Sequence, residues 1–123
     1  RQMLLTMLNP FAAGATRVDG KTAVKMVRDE NAVVVDVRDP SELTQGKVKG
    51  AINLPLGALA TRADPQNPQC DPALKNGQPI ILYCASGSRS GMAGKILMKL
   101  GHQKVFDMGS LSAWNQAGGK IGF

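Results

Sequence analysis

Metal-ligating and disulfide-forming side chains are scarce in this chain. It has two cysteines, Cys70 and Cys84, and a single histidine, His102, so neither a zinc set of the usual spacing nor a disulfide scaffold is expected. The same shortage of histidine rules out a serine–histidine–carboxylate set. With only five aromatics and dispersed basic residues there is no stacking platform, so nucleic acid is not an expected partner. No apolar run approaches the ~20 residues of a membrane span, and a membrane association is not expected. Gly94-Lys95 lacks the flanking residues of a phosphate-binding loop, and Gly87, Gly91 and Gly94 lack dinucleotide-binding spacing. No metal or cofactor is therefore expected. Charged residues make up 20% of the chain and hydrophobic ones 43%, which argues against disorder and gives a 123-residue, one-domain chain enough apolar material for a core. Acidic residues are the minority. The formal net charge of +6 favours small anions or acidic partner surfaces.

What is present centres on Pro79 to Gly101. Ile80, Ile81, Leu82 and Tyr83 form an apolar run without polar interruption, which suits a strand covered on both faces. From Met92, the residues Ala93, Ile96, Leu97 and Leu100 recur at helical spacing, and Gly101 supplies a stop. Cys84 thus sits where a buried strand ends and a helix begins, the usual place for a site in a parallel α/β sheet. A thiol reacts as its thiolate, and its pKa falls near a helix N-terminus or a cation. Ala85, Ser86, Gly87, Ser88 and Ser90 are small, Arg89 brings a fixed cation five positions after Cys84, and Gly87 permits a left-handed turn. Their consecutive N–H groups can form a nest for a thiolate, a persulfide or an anionic substrate. The plainer alternative is a buried, inert cysteine, which needs no such loop behind it.

The run Tyr83-Cys84-Ala85-Ser86-Gly87-Ser88-Arg89-Ser90 resembles the active-site loop of single-domain rhodaneses, the thiosulfate sulfurtransferase-like family. Three other segments fit in order: Val33 to Arg38 with its Asp-x-Arg ending, Gly50 to Pro55, and Val105 to Gly109 followed by Trp114. The resemblance covers about Val18 to the C-terminus. It implies an α/β fold, a small and mostly parallel sheet flanked by helices on both faces. It also implies sulfur transfer through a persulfide on Cys84, from a small anionic donor such as thiosulfate to cyanide or a thiol, including a protein thiol. In the segment from Gly46 to Asn53, where the family commonly has histidine and proline, this chain has Lys47 and Lys49. Ala85 stands where some members carry a second cation, which implies a preference for a protein persulfide or another sulfane compound over thiosulfate. Three rivals stay open: a phosphatase or arsenate reductase, a non-catalytic binding module, and a sulfur carrier. The first uses a Cys-to-Arg loop one residue longer than Cys84 to Arg89. The second often loses the cysteine, and the third differs only in its acceptor.

The rest of the chain supplies support. Residues 1–14 are expected to form an amphipathic extension, with Met3, Leu4, Met7, Leu8 and Phe11 on one face, ahead of a domain over residues 15–123. The chain begins on Arg1, which leaves a processed N-terminus open, and a cytoplasmic location is the expectation. Asp19 is a helix N-cap, and Val33 to Val37 a buried parallel strand. Asp36 or Glu42 is expected to hydrogen-bond the Cys84 loop or pair with Arg89, with Arg38 nearby, whereas Asp39 starts a turn. Lys47 and Lys49 either steer anions or are solvated. Cys70 is an incidental loop thiol or a resolving partner for Cys84. His102 is expected at the surface. Gly91 and Gly94 are expected to let their helix approach the sheet, and Trp114 to face the core.

Overall fold

In the computed structural model, which describes residues 14–123, the sheet is built outward from two neighbouring apolar strands. β1 (Thr16–Arg17) is an edge strand and leads into α1 (Gly20–Glu30). The Asp19 carboxylate caps that helix by accepting the Thr22 N–H at 2.8 Å, and Asn31 ends it in the left-handed region at φ 54°. β2 (Val33–Asp36) follows, then a 3-10 turn over Pro40–Gln45, β3 (Lys47–Val48) and β4 (Ile52–Asn53). A 3-10 turn over Leu56–Ala58 leads into α2 (Leu59–Arg62), and another spans Pro72–Lys75. The remaining elements are β5 (Ile80–Cys84), α3 (Ser88–Lys99), β6 (Val105–Ser110), α4 (Leu111–Gln116) and β7 (Ile121–Gly122).

The main sheet has the order β1-β6-β5-β2-β4, and all its pairings are parallel. β5 is central and all its residues are buried, which is why its sequence shows no polar alternation. Alternation along the strands divides the core into two layers. Val34, Ile81 and Tyr83 pack with Ala23 and Met26 of α1 and Trp114 of α4. Val35, Leu82 and Cys84 pack with Leu59 of α2 and with Ala93 and Leu97 of α3. Helices therefore cover both faces, and the C-terminal ends of β2 and β5 meet between the layers. Among the described residues, no helix is long and apolar enough to cross a membrane.

Two local readings of the sequence need correction, that of Gly91 and Gly94 and that of His102. After α4 the chain passes through Gly118-Gly119 and goes on to form β7, which pairs antiparallel with β3. Gly119 is what allows this return, because a Cβ there would stand 2.3 Å from the Trp114 ring, whose Nε1–H donates to the Lys120 carbonyl at 2.9 Å. Gly94 does permit close packing, but against Ala15, whose Cβ lies 2.7 Å from where a Gly94 Cβ would stand, and not against the sheet. Gly91 faces open space. His102 is half-buried, and its Nε2 bonds the Ala63 carbonyl at 2.6 Å. The extension expected over residues 1–14 lies outside the described residues, Gly14 excepted.

Candidate active site

Cys84 is the last residue of β5 and its side chain is 0% exposed. The chain then turns through Gly87, at φ 109°, into α3. That turn folds the loop back over the sulfur. Gly87 N–H donates to Cys84 Sγ at 3.0 Å and Ser90 N–H at 3.4 Å, and the Ser90 hydroxyl lies 3.7 Å away. Ser90 is fully buried, while Ala85, Ser86 and Ser88 stand exposed around the mouth. The result is a small cup with the sulfur at its floor.

Two effects compete at that sulfur. Burial raises the thiol pKa. The hydrogen bonds from the Ser90 N–H and hydroxyl, and from the N–H groups of Gly87 and Ser86, act the other way and prevail, so the pKa falls below its ordinary value. The Ser90 hydroxyl also lies 3.1 Å from the Gly87 carbonyl. With a thiol, it accepts the S–H and donates to Gly87. With a thiolate, the same proton turns to the sulfur.

Arg89 does not point an open guanidinium into the cup. It forms a two-pronged pair with Glu42, Nη1 to Oε2 at 2.7 Å and Nη2 to Oε1 at 2.9 Å. Glu42 reaches it from the Pro40–Gln45 turn, where its Oε2 also accepts the Asp39 N–H at 2.9 Å and closes a capping box. These bonds, those of Arg89 first, hold the Glu42 carboxyl down to about 2. Arg89 is correspondingly raised.

Asp36 and Arg38 form a buried clamp beneath this pair. Arg38 Nη2 donates to Asp36 Oδ2 at 2.7 Å and to the Gly46 carbonyl at 2.8 Å. The Tyr83 hydroxyl donates to Asp36 Oδ2 at 2.5 Å and accepts the Val48 N–H at 3.0 Å. Burial, then the bond to Asp36, pushes the Tyr83 pKa well up. Of the sequence-predicted residues, Cys84 to Ser90 and Glu42 thus come together. Asp36 and Arg38 do not touch the cup; they fix the strand ends from which it hangs.

Other candidates lie apart from the sulfur. Lys47 Nζ donates to the Ala51 carbonyl at 3.0 Å, so it serves its own turn. Cys70 is buried, its pKa raised by that burial, and its S–H is 3.6 Å from the Asp71 carbonyl. Cys70 and Cys84 are both free thiols. Sequence reasoning missed a bulge in β6, where Leu82 faces Asp107 but Tyr83 faces Gly109. There the buried Asp107 accepts the Gly109 N–H at 2.8 Å, and Gly109, at φ 87°, comes against the loop. The signal was present in Asp-x-Gly, whose short acidic side chain favours such a local bond. Among the described residues, no group of His, Cys, Asp and Glu could hold a metal ion.

The family model described as a rhodanese-like domain matches residues 20–117. A protein of Allochromatium vinosum named sulfurtransferase is 28% identical over 103 residues, covering 82% of this chain and 89% of its own. A protein of Saccharomyces cerevisiae named thiosulfate:glutathione sulfurtransferase is 34% identical over 97 residues, covering 74% and 70%. Some relatives are longer: the chain spans 64% of one from Bacillus subtilis. Among solved structures, a Rhodopseudomonas palustris protein of unknown function, described as a possible tyrosine phosphatase, superimposes with a TM-score of 0.75 at 28% identity, covering 93% and 94%.

Proposed function

The chain belongs to the rhodanese-like domain family, and from that premise we propose that it moves a sulfane sulfur through a persulfide on Cys84. Sulfurtransferase-type activity in general is supported by the family and by the names of relatives. The observation that carries the finer reading is the hydrogen-bonded cup. It stabilises a sulfur anion at the head of α3 without a metal or a catalytic histidine.

In the first step the Cys84 thiolate attacks the outer sulfur of a donor such as thiosulfate. A new S–S bond forms, the donor's own S–S bond breaks, and sulfite leaves with the electron pair. In the second step a thiolate or cyanide attacks the outer sulfur of the persulfide. The Cys84–sulfur bond breaks and its electron pair returns to Sγ. The N–H groups of Gly87 and Ser90 serve both steps, because each begins or ends on an anion at Sγ. One relative is named for transfer to glutathione, which favours a small thiol as acceptor. A protein acceptor, as in a sulfur carrier, uses the same loaded form. Phosphatase chemistry fits less well, because Arg89 follows Cys84 by five positions and is already paired with Glu42.

The test is intact mass after incubation with thiosulfate, with and without cyanide, for the parent protein and Cys84→Ser. The expected result is a gain of one sulfur atom, removed by cyanide and absent in Cys84→Ser. If neither thiosulfate nor any other sulfane donor loads Cys84, the reading fails and a non-catalytic binding module replaces it.

A further inference from the structure

The cations that the sequence places near the cup are already engaged. Arg89 is held by Glu42, Arg38 is buried against Asp36, and Lys47 bonds the Ala51 carbonyl. Arg17, which no sequence motif singles out, stands differently. It ends β1 and is exposed, with no ion pair among the described residues. Its Nη2 lies 3.5 Å from where a Cβ on Gly109 would stand. The Gly109 Cα in turn lies 3.8 Å from where a Cβ on Gly87 would stand, and Gly87 donates to Cys84 Sγ. Glycine at both positions lets the end of β6 approach the loop that cups Cys84, with the Arg17 guanidinium against the same strand end.

Arg17 is also held in place. Its backbone runs opposite Asp107 of β6, the following Val18 N–H bonds the Asp107 carbonyl at 3.1 Å, and Ala15 is wedged against Gly94 of α3. Beyond it lies an open groove of about 700 Å³, lined by Arg17, Lys21, Met108, Gln116 and Ala117. That space is far larger than thiosulfate needs and is of the size that takes a small organic molecule. Asp19 lines the groove too, but its carboxylate is committed to the Thr22 N–H. The nearby Asp107 is buried and bonded to the Gly109 N–H.

We infer that Arg17 and the groove beside it form the acceptor subsite, where Arg17 receives the carboxylate of a small acidic thiol whose sulfur reaches Cys84. This rests on the persulfide reading above. The guanidinium fork suits a carboxylate, and a bound carboxylate orients the thiol and offsets the charge it carries toward an anionic persulfide. The acceptor thiolate forms a bond to the outer sulfur, the Cys84–sulfur bond breaks, and the thiolate is restored on Sγ. No oxidant or reductant is needed.

The test separates the half-reactions. Cys84 is loaded with thiosulfate, excess donor is removed, and discharge is followed by intact mass with mercaptosuccinate and with the uncharged 2-mercaptoethanol. Arg17→Gln is expected to lower the ratio of the two discharge rates about three-fold, Arg17→Glu further, and Arg17→Lys least. A second readout needs no sulfur transfer: the rate of Cys84 alkylation by iodoacetate relative to neutral iodoacetamide, which is expected to fall in the same order. Unchanged ratios in both Arg17→Gln and Arg17→Glu overturn the assignment. A fall in the alkylation ratio with an unchanged discharge ratio overturns the acceptor role. Failure of the parent protein to load with thiosulfate or with any other sulfane donor overturns the persulfide reading, whatever the alkylation ratio shows.

Discussion

At the residue scale, Ser90 is the side chain on which the reactivity of Cys84 turns. A fully buried serine has no water to satisfy its hydroxyl, so it must choose between the Gly87 carbonyl and the sulfur. That choice follows the charge on Cys84. Ser90→Ala keeps the N–H donor to the sulfur and removes the hydroxyl one. The expected outcome is a Cys84 alkylation profile shifted to higher pH, and at pH 7 a rate roughly five-fold lower, the worth of one hydrogen bond of about 1 kcal/mol. Iodoacetamide labelling across pH 5 to 10 measures it. An unshifted profile would reduce Ser90 to a packing residue. The position of Cys84 and the small residues behind it were legible in the sequence, because strand end, glycine turn and helix start are local patterns. Which acidic residue meets Arg89 was not. The sequence names both Asp36 and Glu42; the Pro40–Gln45 turn brings Glu42 to Arg89, while Asp36 is bonded to Arg38 and Tyr83.

At the element scale, α3 shows how two glycines with one sequence reading come to differ. Gly94 meets Ala15 and Gly91 meets nothing. A Cβ at Gly94 would stand 3.0 Å from the Ala15 backbone nitrogen as well as 2.7 Å from its Cβ, so the segment entering β1 must shift. Gly94→Ala is therefore expected to destabilise the protein by about 1–2 kcal/mol, despite the better helix propensity of alanine. Gly91→Ala, with open space around it, is expected to stabilise by about 0.5–1 kcal/mol. Urea unfolding of the two variants beside the parent decides the matter, and equal effects at both sites would refute it. Helical periodicity gives the face of α3 but not its neighbour. The neighbour here is Ala15, in the segment that enters a strand of two residues, too short to leave a pattern. The same limit hid β3 and β7, whose pairing depends on Gly119 making room beneath Trp114.

At the scale of the whole molecule, the Arg89–Glu42 pair is a tie between distant parts of the chain. It joins the turn after β2 to the helix after β5, forty-seven positions apart. Parallel strands cannot be linked by a tight turn, so such side-chain ties help fix how the segments after them sit. The contribution of this one carries a pH signature. Glu42 has its folded-state pKa lowered from an ordinary 4.5 to about 2. The group therefore stabilises the folded state fully above about pH 4.5, and the contribution is lost as pH falls from there through about 2. Both side chains are about one-third exposed, so solvent and salt damp the effect. In Glu42→Gln the midpoint of thermal unfolding is expected to fall less steeply than the parent's between pH 4.5 and 2, and the two curves to converge at the acid end. Added salt should narrow the gap at pH 7. Parallel curves across that window would show that the pair holds the loop in place without contributing to the stability of the fold.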